Sequence, residues 1–159
     1  MIKITLITLG KLKEKYLREA SAEYEKRLSR YCSLDIVELE PVKLNEKPSQ
    51  AEINTALQKE AEMIIKKIPS GTQIYSLCVE GKQLSSEDFA KKNSILINAG
   101  KGITFIIGSS YGLDERIKRL SDIRLSLSEM TFPHQLFRVM LLEQIYRSFK
   151  INEGSTYLK

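Results

Sequence analysis

The chain has 159 residues, 42% hydrophobic and 28% charged, with 25 Lys and Arg against 20 Asp and Glu and a net charge of +5. That balance suits one compact soluble domain over residues 1–159, long enough to bury a core without disulfides or metals. One histidine, and two cysteines (Cys32, Cys78) without metal-ligand spacing, exclude a His/Cys zinc site, and no run approaches the length of a membrane span.

The opening "IKITLITLG" is rich in β-branched residues and reads as a first strand closed by Gly10. The start lacks a secretory pattern, so a cytoplasmic protein with reduced thiols is expected. In "KEKYLREASAEYEKRLSRY", Leu17, Ala20, Tyr24 and Leu28 recur at helical spacing among charges, which predicts an amphipathic helix. "SLDIVELE" alternates as a second strand, and "PVKLNEKPSQ" is a polar loop. Ser49, with Glu52 three residues on, predicts a capping box opening the helix "QAEINTALQKEAEMIIKKI", which Pro69 and Gly71 stop. "TQIYSLCV" is a third strand followed by the connection "EGKQLSS"; Cys78 lies in its apolar run and reads as core, while Cys32 is given no role. Ser85 or Ser86 can cap "EDFAKKNSILINA", which ends at Gly100. "ITFIIG" is a fourth, fully apolar strand, "DERIKRL" a short helix and "DIRLSLS" a fifth strand. "EMTF" is a loop, and Pro133 opens a last helix that runs to about Lys150.

Strands alternating with helices predict an α/β fold with a mainly parallel sheet flanked by helices. Ligands in such sheets gather at the carboxyl ends of the strands. Parallel strands would bring "EGK", "GSSYGL" and "SEMTF" to one edge. The last helix carries apolar residues most of the way round, from Leu136 to Phe149. A surface helix needs one apolar stripe, so a second subunit is expected against the other side, in a two-fold homodimer.

Several constellations compete for the chemistry. "GSSYG" matches G-x-S-x-G, with Ser110 as a nucleophile, Asp114 or Asp122 as the acid and His134 as the base of a serine hydrolase. Against that reading, the chain is short for the hydrolase fold and no second oxyanion loop is visible. Gly108 and Gly112 let backbone approach a ligand or simply close a tight turn. No G-x-G-x-x-G follows the first strand and no G-x-x-x-x-G-K-[ST] occurs, so ordinary dinucleotide and phosphate loops are absent. His134 sits at a helix start, where the dipole disfavours imidazolium; there it can accept a proton or hydrogen-bond a base edge. Lys11, Lys13, Lys15 and Arg18 cluster after the first strand, and Arg138, Arg147 and Lys150 lie on the last helix. With Tyr16 and Tyr157 available for stacking, these read as a solvated face or an RNA surface.

"FIIGSSYGL", "LSLSEMTFPHQLFRVMLLEQIYRSF" and "ITLITLGKLKEKYLREASAEYEKRL" together resemble one family over essentially the whole chain. It is the small bacterial SPOUT-class methyltransferase acting at N3 of a pseudouridine in 23S ribosomal RNA. The resemblance implies a C-terminal trefoil knot, which ordinary topology rules would not propose. It also implies a homodimer, S-adenosylmethionine as cofactor, and assembled ribosomes as the RNA partner. By similarity Leu77, Gly108, Leu127, Ser128, Glu129, Met130, Thr131 and Phe132 line the cofactor pocket, with Gly81 and Gly112 close by. His134 is placed to take the N3 proton or hold the base, and Arg138 to neutralise a phosphate or the developing base anion. Lys11, Lys13, Arg18, Arg147 and Tyr157 are the RNA-binding candidates. Leu158 stands where the family usually has histidine. That departure keeps open a non-enzymatic RNA- or ribosome-binding relative.

Overall fold

The computed structural model describes residues 1–157. Its elements in chain order are β1 (Ile2–Leu9), α1 (Lys15–Leu28), β2 (Cys32–Leu39), α2 (Gln50–Lys67), β3 (Gln73–Gln83), α3 (Ser86–Asn98), β4 (Ile103–Ile107), α4 (Glu115–Leu120), β5 (Ile123–Ser126) and α5 (His134–Asn152). The strands form one sheet in the order β2-β1-β4-β3-β5, and every pairing is parallel. Helices on both faces explain why β1 and β4 are apolar without strict alternation. Ile4, Leu6, Ile103, Phe105 and Ile107 face α1, α3 and α5. Ile7, Leu9 and Ile106 face Ala61 and Ile64 of α2 and Ile117 of α4.

Aromatic packing organises the larger core. Tyr75 stacks on Phe105 at 4.8 Å between ring centroids, and Phe89 of α3 meets Tyr75 edge-on. The Tyr75 hydroxyl donates to Asn93 Oδ1 at 3.1 Å, and Asn93 Nδ2 donates to Ser148 Oγ of α5 at 3.4 Å. This relay satisfies buried polar groups and joins sheet, α3 and α5 in one contact. Burial pushes the Tyr75 phenol up to about 12.

Two sequence expectations change. β3 does not end at Val79 but runs to Gln83, and β5 stops at Ser126, short of Ser128. The pairing of β3 with β5 shifts register between Leu77 and Lys82, so Cys78–Gly81 bulge outward before the ladder resumes. Gly81 permits this, because a Cβ there would lie 2.7 Å from the Arg124 carbonyl oxygen. α5 packs between α1 and α3 while Leu141, Leu142, Ile145 and Phe149 enter the core, and Leu136, Phe137, Met140 and Tyr146 stay only partly buried.

The capping box at α2 forms as expected: Ser49 Oγ accepts from Glu52 N–H at 3.1 Å, and Glu52 Oε1 accepts from Ser49 N–H at 3.1 Å. Ser85, not Ser86, caps α3. Replacing Ser49 with alanine should cost about 1 kcal/mol of folding stability, read as a lower urea midpoint with an unchanged denaturant slope.

Candidate active site at the carboxyl edge of the sheet

The carboxyl ends of β3, β4 and β5 enclose a cleft of about 360 Å³. Local sequence shapes each wall. The β3 bulge contributes Leu77, Cys78, Val79 and Glu80. The segment after β4 folds into a turn in which Gly112 N–H donates to Ser109 O at 2.8 Å and Gly112 takes φ +90°. A Cβ on Gly108 would sit 2.2 Å from the Gly112 carbonyl oxygen, so the turn closes only on a glycine. The segment after β5 is held by Ser126 Oγ donating to Ser128 O at 3.0 Å and Met130 N–H donating to Ser128 Oγ at 2.9 Å.

The chain then returns. β5 lies at the sheet edge beyond β3, yet His134 Nε2 meets the Gly108 carbonyl oxygen at the end of β4, at 2.5 Å. A carbonyl only accepts, so Nε2 carries the proton, and in the neutral ring Nδ1 holds the lone pair. Residues 127–133 thus cross the edge of the sheet and complete the cleft.

Of the residues expected around a cofactor, Leu77, Gly108, Gly112, Leu127, Ser128, Met130, Thr131 and Phe132 line the cleft, as does His134. Gly81 and Glu129 do not; Gly81 acts behind the wall, letting the bulge rejoin β5. Sequence reasoning missed Cys78, Glu80, Tyr111 and Lys118. Cys78 is half-buried in the cleft wall and not core, whereas Cys32 is buried and its thiol is pushed up to about 11 by desolvation. Glu80 pairs with Lys118 of α4 across one side of the cleft, and this partner holds its carboxyl below the usual range. The signal for Glu80 was the charged, glycine-flanked break in an apolar strand.

Other candidates have different duties. Arg138 is 7% exposed and its guanidinium donates to Glu38 Oε2 of β2 at 2.6 Å. It faces a carboxylate inside the protein and is not presented to a phosphate; a buried pair of this kind fixes geometry more than it adds stability. Arg18 donates to the carbonyl of Lys13 at 2.5 Å and so shapes the β1–α1 loop. Lys13 N–H donates to Gln135 Oε1 at 2.8 Å, which brings the exposed Lys11 and Lys13 beside the start of α5. Arg147 donates to Glu143 at 2.9 Å and to the Tyr157 carbonyl at 3.2 Å. The Tyr157 hydroxyl donates to Glu143 Oε2 at 3.0 Å. Both residues clasp the C-terminal segment against α5, and burial with the Glu143 bond pushes the Tyr157 phenol up to about 12. Leu158 lies outside the described residues.

The serine-hydrolase arrangement does not form. Nε2 of His134 is spent on Gly108, the Asp114 carboxylate caps Arg116 N–H at 2.8 Å, and the Asp122 carboxylate accepts from Ile74 N–H at 2.8 Å. Ser110 is an exposed residue at the tip of the turn.

A parallel sheet whose crowded carboxyl edge holds a cleft lined by three converging segments is the architecture of an α/β ligand-binding domain. The family model described as "Predicted SPOUT methyltransferase" matches residues 2–157, and the chain belongs to that family. A Streptococcus suis protein named "Ribosomal RNA large subunit methyltransferase H" is 50% identical over 159 residues, 99% of this chain and 100% of its own length. Proteins of the same name from Bifidobacterium adolescentis and Acetivibrio thermocellus are 52% identical over 159 residues and 47% identical over 157 residues, each covering at least 98% of this chain and 99% of the relative.

Substituting Gly108 with alanine should push the Gly112 turn away and reduce affinity for a cleft ligand at least tenfold, measured by calorimetry on protein that keeps its circular dichroism.

Proposed function

We propose that this chain methylates N3 of a pseudouridine in 23S ribosomal RNA, on assembled ribosomes, with S-adenosylmethionine as methyl donor. The observation that carries the reading is the convergence of Leu77, Gly108, Leu127, Ser128, Met130, Thr131 and Phe132 on one cleft in a chain of this family. The names of its relatives support large-subunit ribosomal RNA as the substrate.

The donor fits the residues present. Leu77, Ile107, Leu127 and Phe132 supply apolar surface for an adenine ring, and the 126–132 segment offers backbone groups to its edge. The open space beside Gly112 leaves room for close approach. When bound, the donor supplies a methyl group activated on a sulfonium. The protein's part is then to hold and orient, since such a transfer needs little covalent help. His134 stands at the rim, fixed through Nε2, with Nδ1 available to accept from an acceptor base or take its proton. Arg138, through Glu38, holds the first turn of α5 that carries the imidazole. Lys11 and Lys13 beside that turn suit RNA phosphates. The return of residues 127–133 across the end of β3 supports a trefoil knot, and the knot belongs to this reading. So does a homodimer, which would cover Val79, Tyr111 and Met130, 58%, 46% and 74% exposed beside the cleft.

Two measurements test the reading. Wild-type protein should transfer labelled methyl to ribosomes that lack the modification, and His134→Ala should lower turnover at least a hundredfold while donor affinity changes less than threefold; unchanged turnover removes His134 from the mechanism. Saturating S-adenosylmethionine should protect Cys78 from alkylation, followed by mass spectrometry, while Cys32 stays unmodified with or without donor. Equal labelling of Cys78 in both conditions would place the donor elsewhere.

A further inference from the structure

Glu60 of α2 is a carboxyl in the interior, 4% exposed. A leucine there would fill a similar volume without the desolvation penalty. What the carboxyl offers instead is two acceptor oxygens. Oε2 accepts from Val42 N–H, in the loop after β2, at 2.9 Å. The hydroxyl of Ser109, the second residue of the glycine turn, is its other donor. Glu60, Val42 and Ser109 meet in the wall of a small cleft behind that turn. Desolvation raises the Glu60 pKa, while the Val42 N–H, the Ser109 hydroxyl and His134 pull the other way.

The turn it reaches is poorly held by its own residues. Ser110, Tyr111 and Gly112 are exposed, and the glycines at 108 and 112 bring no side chain to anchor it. Glycine backbone also has the most conformational freedom to lose on ordering. Yet the Gly108 carbonyl must stay in place, because it is the group that His134 Nε2–H donates to. If that carbonyl drifts, nothing fixes the proton on Nε2. It can then move to Nδ1 and close off the lone pair that the mechanism needs. The other end of this contact is already braced, since Arg138 and Glu38 hold the first turn of α5.

Resting on the reading above in which Nδ1 of His134 meets the acceptor base, we propose that Glu60 is a positioning residue: by bracing Ser109 against the loop after β2, it holds the Gly108 carbonyl on His134 Nε2 and so fixes the tautomer of the base. Both ends of the His134–Gly108 contact then rest on a buried carboxylate, Glu38 on the helix side and Glu60 on the turn side. Glu60 touches neither donor nor acceptor and acts only through the turn. In a catalytic histidine the orienting partner matters because the wrong tautomer is inactive.

His134 is the one histidine of the chain, so its ring can be read without ambiguity. The test uses the full chain near pH 8, where an ordinary imidazole is neutral, and follows the ring nitrogens by nitrogen-15 NMR. Wild type should show the Nε2–H tautomer alone. Glu60→Leu should give a mixture of tautomers and about tenfold faster exchange of the ring N–H with water, the range expected for losing one hydrogen bond in a buried site. Ser109→Ala removes the same link from the turn and leaves the core intact, so it should do likewise even if Glu60→Leu folds poorly. Glu60→Gln should behave like wild type, because its amide oxygen can accept from Val42 N–H while its amide N–H donates to Ser109 Oγ. Turnover on ribosomes should fall about tenfold in the first two variants, for the same lost bond, and recover with glutamine, while the urea midpoint of Ser109→Ala stays at the wild-type value. A single Nε2–H tautomer with unchanged exchange in Ser109→Ala, or a mixture in wild type, would overturn the inference. So would a glutamine variant as disturbed as leucine. Wild type that keeps its tautomer but neither binds donor nor methylates ribosomes would instead sink the methyl-transfer reading and leave the brace standing.

Discussion

The carboxyl edge of the sheet depends on the closeness of Gly108 and Gly112. The carbonyl of Gly112 fills the space a side chain on Gly108 would need. That approach folds the post-β4 segment flat and leaves the Gly108 carbonyl aimed at His134 Nε2. The same contact anchors the first turn of α5, so the returning chain, the turn and the helix start are fixed together. A bulkier residue at this point would loosen all three, because a packed edge rearranges in discrete steps and cannot bend gradually.

Glycine at 81 plays a related part. β3 leaves its ladder after Leu77 and rejoins it at Lys82, and the residues between form the outer wall of the cleft. The cleft is thus made from an interrupted strand. This explains how a chain of modest size holds a cleft of about 360 Å³ without spending a separate loop on it. The Glu80–Lys118 pair then ties the bulge to α4.

Charge is used sparingly in the interior. Arg138 and Glu38 neutralise each other between α5 and β2, and Glu60 bridges the post-β2 loop to the region of the glycine turn. Each sits one step behind the cleft. Such groups cost desolvation and give direction in return, a trade that makes sense where backbone must be held for chemistry. The exposed lysines of the β1–α1 loop stand outside this shell, where they remain hydrated and able to meet a polyanion.

Much was legible in the sequence. Apolar runs or alternation marked all five strands, the Ser49–Glu52 spacing marked the start of α2, and the segment around Leu127 to His134 marked the family. These signals are local, since strand period, capping and turn chemistry act within a few residues. What the sequence could not show is contact across distance. "EGK" looked like a loop because its ladder partner is more than forty residues away. Arg138 looked like an anion binder because Glu38 is 100 positions earlier. The apolar girth of α5 is met in part by α1 and α3, which come from far along the chain. Nothing local marked Glu60 of α2 as buried, yet folding turns it inward. Local pattern determined which elements form and what family they make; only tertiary packing decided which charges are buried and which are left to meet a ligand, because that depends on groups brought together from far along the chain.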